Sequence, residues 1–348
     1  MGFLRDAIDT FLESRTIAPG GREVTAEERW RHLRAYGDTS LAFSAVSEPY
    51  LLSFGDSRGF IPYARRMGYS FALGDPIAAP ADRAGLIDDF IAAFRRPGFV
   101  AVGQDTASLL ASRGYRVNHF GYDTAIRLHG HSFAGREGKN IRYATSWLKA
   151  NGMTVEERRG EDFAPGTLKR ISLRWRETRV ANKRQIRFLN RVFSESEAPG
   201  VRRFFALTPA GEPLAFISFD PIHRGGRVIG YLASNKRRDP EASGYVDLGI
   251  MRHAIDVFKT EGLDVALLGL SPLAGLERGP FRGDPLVRRL FRVAYDSPWV
   301  NSRIFNMQGI AAYKKRFRGE ELPNYLALPP GRGRFLMLIA LLRLIRLI

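Results

Sequence analysis

The stretch that decides the fold is residues 227–270, RVIGYLASNKRRDPEASGYVDLGIMRHAIDVFKTEGLDVALLGL. Its two ends, 227–233 and 265–270, are short apolar runs of the kind that form buried strands. Between them, apolar residues recur at helical spacing over 245–261, whereas 234–244 combines Asn, Pro, Gly and consecutive charges, which is typical of a loop. The stretch therefore predicts a strand, a loop, a long helix and a second strand, which is the order of a parallel crossover.

The predicted loop places several cations directly before the N-terminus of the long helix. Unpaired backbone N–H groups and the helix dipole make such an N-terminus a favourable place for an anion. We therefore expect Asn235, Lys236, Arg237, Arg238 and Gly244 to bind phosphate groups of a donor substrate. A solvated basic loop without a ligand is the alternative interpretation.

The residues on either side of this stretch predict a mixed α+β chain of two tandem domains. Both halves show several strand-like runs followed by strand, helix and strand, although no repeat is visible at the level of residues. The predicted boundaries are 1–35 for N-terminal helices, 36–138 for the first domain, 139–328 for the second domain and 329–348 for a C-terminal amphipathic helix.

The charge is concentrated in one half of the chain. The net charge is +17, yet residues 1–130 carry 15 basic and 15 acidic side chains, whereas residues 131–348 carry 38 basic and 21 acidic ones. A generally basic composition would have raised the charge of both halves. The asymmetry therefore predicts a neutral first domain and a second domain that binds an anion such as a nucleic acid, a phospholipid surface or a phosphorylated donor.

The C-terminal residues 334–348 predict contact with a membrane surface. Twelve of these 15 residues are apolar, but at 1.5 Å per residue the helix reaches only about 22 Å, less than the roughly 30 Å hydrocarbon core of a bilayer. Arg343 and Arg346 lie on one helical face, so we expect an amphipathic helix in the headgroup region of an anionic membrane. A helix docked on the protein's own core is the alternative.

Several classes of chemistry are excluded by the composition and by missing motifs. The chain has no cysteine, which excludes disulfides, thiolate metal sites and cysteine nucleophiles and fits a reducing cytosolic compartment. It contains no Gly-x-Ser-x-Gly, His-Glu-x-x-His or Walker motif. His129 and His131 have no third ligand nearby in the sequence, so we expect no metal site. Charged residues at 5–6 replace the apolar run that a signal peptide requires.

The order of elements over 227–270 resembles the centre of the Gcn5-related acyltransferase fold. Four further segments resemble the C-terminal part of the phosphatidylglycerol lysyltransferase family, and the likeness extends over about residues 40–328. These segments are 71–76 (FALGDP), 128–142, 268–273 (LGLSPL) and 305–317 (FNMQGIAAYKKRF). The loop 234–244 departs from the Gln/Arg-x-x-Gly-x-Gly/Ala pattern of coenzyme A-binding proteins and keeps only Gly244, which leaves room for another donor.

This resemblance implies two tandem Gcn5-related N-acyltransferase-like domains, of which the second is catalytic. Aminoacyl-tRNA would be the donor and a membrane lipid headgroup the acceptor, with no separate cofactor, at the inner face of the membrane. We expect Asp247 and Ser271 to form a proton relay, with Tyr313 as a third catalytic residue and Lys314 as a ligand of phosphate or of the leaving group. A helix-terminal charge at Asp247, a turn residue at Ser271 and a turn former at Asp75 are the simpler alternatives.

Two other functions fit the same residues. One is an N-acyltransferase that takes an acyl group from coenzyme A or an acyl carrier protein and modifies an amino lipid such as a sphingoid long-chain base. The other is a non-catalytic module that binds an anionic membrane or RNA. For RNA, the basic region 182–191 with Trp147 and Trp175 would supply backbone contacts and stacking.

Overall fold

The computed structural model describes residues 24–177, 186–276, 279–331 and 333–347. The first of the predicted N-terminal helices and the predicted basic residues 182–185 lie outside these ranges. The strands are β1 (Leu52–Asp56), β2 (Gly59–Arg66), β3 (Tyr69–Leu73), β4 (Ile77–Ala78), β5 (Gly98–Val102), β6 (Arg116–Arg127), β7 (Thr154–Glu157), β8 (Arg202–Leu207), β9 (Pro213–Arg224), β10 (Arg227–Arg238), β11 (Val265–Pro272) and β12 (Glu320–Leu328).

Helices cover both faces of these strands. The α-helices are α1 (Ala26–Tyr36), α2 (Ala42–Ser47), α3 (Pro80–Ala93), α4 (Gln104–Ser112), α5 (Lys139–Ala150), α6 (Thr167–Glu177), α7 (Tyr245–Thr260), α8 (Pro285–Asp296), α9 (Pro298–Arg303), α10 (Met307–Lys315) and α11 (Arg334–Leu344). A 3-10 helix spans Gly160–Asp162. The mixed α+β class predicted from the sequence is confirmed.

The described strands form one 12-stranded sheet in the order β1-β2-β3-β5-β12-β6-β11-β10-β9-β8-β7, with β4 paired to β2. Two neighbouring pairs are parallel, β3 with β5 and β10 with β11. Helix α3 connects the first parallel pair and α7 connects the second, as a parallel crossover requires. The predicted strand, helix and strand over 227–270 are therefore confirmed.

The two halves of the chain exchange their last strands. Strand β12, from the end of the chain, lies between β5 and β6, where Leu326 pairs with Val100 on one side and with Asn118 on the other. Strand β6, from the first half, pairs in turn with β11, so that Ser271 lies opposite Tyr122. The sheet therefore continues without interruption across the predicted boundary at residues 138 and 139.

The prediction that a loop begins at Ser234 is wrong for its first residues. Strand β10 continues to Arg238, which pairs with Ala215 of β9, after a bulge between Ala233 and Asn235. Successive side chains of a strand point to opposite faces. In the sequence the charge run has the composition of a loop, because its alternation becomes visible only when a neighbouring element covers one face, as α6 does here.

Helix α7 is held against the sheet by aromatic contacts and by a close approach to α5. The Phe258 ring makes edge contacts with Phe204 and Phe219, with centroid distances of 5.7 and 5.2 Å. At Gly249, a Cβ atom would lie 2.1 Å from Leu148 Cδ1 of α5, so the two helices approach this closely only because the residue is glycine. This packing fixes the position of the N-terminus of α7.

The C-terminal helix packs against the protein's own core, which corrects the prediction of a helix resting on a membrane. Met337, Leu338, Leu341 and Leu344 of α11 are buried in a cluster with Phe71 of β3. These residues, which predicted lipid contact, fill this core instead, whereas Phe335 and Leu336 at the start of the helix stay exposed. The alternation of Arg with apolar residues does not distinguish the two environments. None of the described helices has both the length and the apolarity needed to cross a bilayer.

Candidate functional site

The candidate site lies where strands β10 and β11 diverge. The two strands pair only where Gly230–Leu232 of β10 lies opposite Val265–Leu267 of β11. Beyond this point β10 stays with β9, and β11 stays with β6 after an irregularity that includes Gly269, whose φ is +76°. Helix α10 packs against β11 and brings Tyr313 and Lys314 to the gap. Diverging parallel strands leave backbone groups without a ladder partner, so these groups are available to side chains or a ligand.

Lys314 is buried in this gap and is bound by backbone carbonyls. Its Nζ donates to Gly269 O and Leu270 O, both at 2.7 Å. Burial lowers the pKa of Lys314 from its ordinary value of 10.5 to about 7, and the nearby charge of Asp123 opposes this shift. A lysine with a pKa near neutrality can both accept and donate a proton under physiological conditions.

Asp247 lies in the first turn of α7 and contacts two of the predicted cations. Asp247 Oδ2 is 3.5 Å from Lys236 Nζ and 3.3 Å from Arg238 Nε. The Lys236 ammonium also lies 3.5 Å from the centre of the Tyr313 ring, and the Tyr313 hydroxyl donates to Asp247 O at 3.4 Å. Burial and the charge of Asp247 raise the pKa of Tyr313 well above 10, so this phenol acts only as a neutral group.

Arg237 and Asn235 lie on the opposite face of β10. Arg237 donates to Ser172 Oγ at 3.2 Å and to Asn235 Oδ1 at 3.0 Å, and its guanidinium carbon lies 4.1 Å from the centre of the Trp175 ring. Both residues are buried. The structure therefore joins Lys236 and Arg238 to Asp247 but separates Asn235 and Arg237 from them. Gly244 is the N-cap of α7, and apart from its chain neighbours no described residue lies within 4 Å of the place its Cβ would take.

A match over most of the chain identifies the family. A family model described as phosphatidylglycerol lysyltransferase, C-terminal, matches residues 30–328. The chain belongs to the phosphatidylglycerol lysyltransferase family. One curated relative is the lysylphosphatidylglycerol biosynthesis bifunctional protein LysX of Mycobacterium tuberculosis, 22% identical over 315 residues. The match covers 86% of this chain and 26% of LysX, so the chain spans about a quarter of the length of the curated relatives it matches.

Two solved structures share this fold. The structure of L-PGS from Bacillus licheniformis superposes with a TM-score of 0.74 at 18% identity, over 94% of this chain and 99% of the other. The C-terminal domain of a putative lysylphosphatidylglycerol synthetase from Agrobacterium fabrum superposes with a TM-score of 0.75 at 19% identity, over 92% and 96% of the two chains. These likenesses confirm the fold that the sequence resemblance implied, and the family model confirms the family.

The segments that carried the family resemblance have different structural roles. The closing block 305–317 forms α10, which supplies Tyr313 and Lys314 to the site. Segment 71–76 ends β3, and there Asp75 Oδ1 accepts from Gly103 N at 2.9 Å. Asp75 thus joins the end of β3 to the N-cap of α4.

Ser271 lies near the end of β11, and its Oγ makes no hydrogen bond to Asp247. The residue is fully buried, and its Oγ has no hydrogen-bond partner within the described part of the chain. It pairs with Tyr122, a residue whose side chain packs on Ala311. The predicted relay between Asp247 and Ser271 is therefore not formed in this arrangement.

Asp123 is a site residue that sequence reasoning did not assign. It is buried on β6, and its Oδ2 accepts from Ser40 Oγ at 2.6 Å. Burial raises the pKa of Asp123, while Ser40 and Lys314 lower it. The available signal was a lone carboxylate directly before the strand-like run at residues 124–128. Within the ranges the structure describes, no group of three His, Asp or Glu side chains could hold a metal ion. His129 and His131 therefore belong to no such group.

Proposed function

We propose that this chain transfers an aminoacyl group from aminoacyl-tRNA to a hydroxyl group of an anionic phospholipid headgroup. Family membership and the names of the relatives support lysyl-tRNA and phosphatidylglycerol as the first pair of substrates to test. The observation that carries the proposal is the buried Lys314, whose pKa is about 7 and which lies where β10 and β11 diverge. No cofactor is required, because the ester of the donor is already activated.

The transfer requires two linked proton movements. The headgroup oxygen attacks the ester carbonyl carbon and forms a new C–O bond, while the bond from that carbon to the ribose oxygen of the tRNA breaks. The attacking hydroxyl loses a proton, and the ribose oxygen gains one. A single group with a pKa near neutrality can carry the proton from the first oxygen to the second.

The hydrogen bonds of Lys314 suit this role. A neutral amine has two N–H donors and one lone pair. Gly269 O and Leu270 O accept two hydrogen bonds from Nζ, each at 2.7 Å. In the neutral form both donors are therefore satisfied by the backbone, and the lone pair remains to take the proton of the headgroup hydroxyl. The proposal moves Lys314 from phosphate binding to catalysis.

Lys236 and Arg238 are proposed to hold a phosphate of the donor. They share one carboxylate, that of Asp247, so the group keeps an excess positive charge. The attraction between a cation and a phosphate is strongest where water is partly excluded. Both cations are largely buried, so they meet this condition. We propose that Asp247 positions these two cations. The reaction would then occur at the cytoplasmic face of a membrane, where tRNA and lipid headgroups meet.

The test is a transfer assay with purified chain, phosphatidylglycerol dispersed in detergent, and lysyl-tRNA carrying labelled lysine. The expected product is a lysylated lipid identified by mass spectrometry, and RNase treatment should abolish its formation. The rate constant kcat/KM should rise as the pH passes about 7, because only neutral Lys314 accepts the proton. Product formed from an acyl thioester after RNase treatment, or no product with any aminoacyl-tRNA, would refute the proposal.

A further inference from the structure

Helix α8 exposes a continuous stripe of apolar side chains. Leu286, Leu290 and Val293 follow one another at helical spacing, and they are 57%, 37% and 61% exposed. Only Val287 of this helix is fully buried. A surface helix normally turns its apolar residues toward the core. This helix instead has an apolar side that no described residue covers.

Neighbouring helices extend this surface. Of the ten large apolar side chains that are exposed in the described part of the chain, six lie on α8, α9 and α11. We name these six residues the apolar face; they are Leu286, Leu290, Val293, Trp299, Phe335 and Leu336. Leu286, Leu290 and Phe335 line one cavity of about 330 Å³ between α8 and α11, so at least this part of the face is contiguous. Concentration on three adjacent helices indicates a binding surface, since scattered apolar residues would need no explanation.

One carboxylate, that of Asp284, joins α8 to α11. Asp284 caps α8, because its Oδ1 accepts from Leu286 N at 2.9 Å and from Val287 N at 3.3 Å. Asp284 Oδ2 also pairs with Arg334 Nε at 2.6 Å, at the first residue of α11. One buried carboxylate thus fixes the starts of both helices. The parts of the apolar face on α8 and α11 are therefore held in a fixed relation to each other.

Cations lie along the other flank of the same helix. Arg288, Arg289 and Arg292 line a second cavity of about 590 Å³, together with His119 and Tyr325 of the sheet. The structure records no ion pair for Arg288 or Arg289 among the residues it describes. Guanidinium groups bind phosphate through paired N–H donors, so a cavity with three of them suits an anionic phosphate group.

We propose that helix α8 docks this protein on the surface of an anionic phospholipid bilayer. The apolar face enters the boundary between headgroups and acyl chains, and the arginine cavity receives a headgroup phosphate. Apolar side chains next to arginines are the composition of interfacial helices on anionic membranes. RNA would match the arginines but leave the apolar face in water.

The docking surface has a defined relation to the candidate site. His119 lies on β6, the strand that also carries Asp123 near Lys314. Four residues of a strand span about 13 Å, so a headgroup at the arginine cavity would be within a lipid's reach of the reacting groups. The proposal rests on the proposed function in one respect, that the bound lipid is the acceptor. Membrane binding itself is measured without any transfer reaction.

The experiment is sedimentation of the full chain with vesicles of equal parts phosphatidylglycerol and phosphatidylcholine, compared with vesicles of phosphatidylcholine alone. We expect binding to the anionic vesicles only. Two double variants test the surface, L286E/V293E for the apolar face and R288Q/R289Q for the cavity. Two changes on α6 serve as matched controls, L173E for an exposed apolar residue and K169Q/R170Q for two exposed adjacent cations.

The expected effects are large, since each change removes a direct contact. The L286E/V293E variant should bind at least tenfold more weakly. Each cation near an anionic surface contributes about fivefold to binding, so R288Q/R289Q should bind about 25-fold more weakly than the wild type at low salt. This difference between variant and wild type should shrink at high salt. The α6 variants should bind like the wild type. Thermal melting checks that all variants are folded, as expected for exposed positions.

The possible outcomes separate this proposal from the proposed function. Equal binding to both kinds of vesicle, wild-type binding by both test variants, or equal losses in the α6 controls would overturn the docking surface. A loss of tRNA binding with unchanged vesicle binding in R288Q/R289Q would also overturn it and assign the cavity to RNA. If the wild type binds anionic vesicles but forms no lysylated lipid in detergent, the docking surface holds and the proposed function fails.

Discussion

Lys236 Nζ lies 3.5 Å from Asp247 Oδ2, and this contact joins the end of strand β10 to the first turn of helix α7. The same ammonium lies 3.5 Å from the centre of the Tyr313 ring of α10. Lys236 therefore connects the three elements that surround the gap between β10 and β11. A substrate phosphate that binds Lys236 must compete with the carboxylate already present, so binding and the position of Asp247 are coupled.

The Asp247→Asn variant tests this coupling. Removing the negative charge should leave Lys236 and Arg238 without a fixed orientation, so we expect kcat to fall at least about tenfold. The Asp256→Asn variant is the matched control, because Asp256 lies on the same helix and pairs with Arg252 away from the gap. Steady-state kinetics with both variants measures the effect. A kcat unchanged from the wild type would show that Asp247 has no part in the reaction.

The Lys314→Met variant tests the proton carrier. We expect kcat/KM to fall by about 10²–10⁴, the range typical of a lost general base. The Lys314→Arg variant should be equally inactive, since arginine keeps the charge but cannot release its proton. The Lys315→Met variant, which changes the exposed neighbour on the same helix, should keep its activity. Substantial activity in Lys314→Arg would assign Lys314 a purely electrostatic role.

The pKa of Lys314 also predicts how stability changes with pH. The pKa is about 7 in the folded protein and 10.5 in the unfolded chain, so the unfolded chain binds more protons between these values. Stability contributed by this group therefore rises with pH across that window, and below pH 7 its full burial cost applies.

Urea unfolding of wild type and Lys314→Met at pH 7 and pH 9 measures this contribution. The wild type should gain about 2 kcal/mol relative to the variant between these two pH values. A difference between the two proteins that stays constant with pH would mean that Lys314 keeps an ordinary pKa.

Arg237 and Arg238 are neighbours with opposite expected roles. Arg237 stacks on Trp175 and is buried, so Arg237→Met should lower the free energy of unfolding by about 2–4 kcal/mol. Arg238 contacts Asp247 at the gap, so Arg238→Met should raise the KM for aminoacyl-tRNA and change stability by less than about 1 kcal/mol. Denaturant titration and kinetics on both variants separate these effects. The reverse pattern would place Arg237, and not Arg238, at the donor.

The sequence allowed the order of elements over 227–270 to be predicted because apolar runs and helical spacing are local properties. It also brought Asp247, Tyr313 and Lys314 forward as candidates. Their grouping, however, depends on how α10 packs on β11, which no spacing along the chain reveals. The contact of Ser40 with Asp123 joins residues 83 positions apart, so it was equally out of reach.

Two surfaces show why solvent exposure is hard to predict from a pattern. Both helices alternate apolar residues with arginine, yet Met337, Leu338, Leu341 and Leu344 of α11 are buried, whereas Leu286, Leu290 and Val293 of α8 are exposed. An apolar pattern indicates that a helix face avoids water, but it does not indicate whether protein or lipid covers that face. In α11 the cover is the cluster around Phe71, and only the folded sheet supplies it.

The position of β12 has a consequence for how this protein is made. A ribosome makes residues 320–328 after strands β1–β11, yet they occupy an interior place in the sheet, between β5 and β6. Until they emerge, β5 and β6 present open edges that can pair with other chains. Long-range pairings of this kind form slowly, so the centre of the sheet can close only after residue 328 has been made. A chain that stops before Glu320 would keep those two edges permanently open.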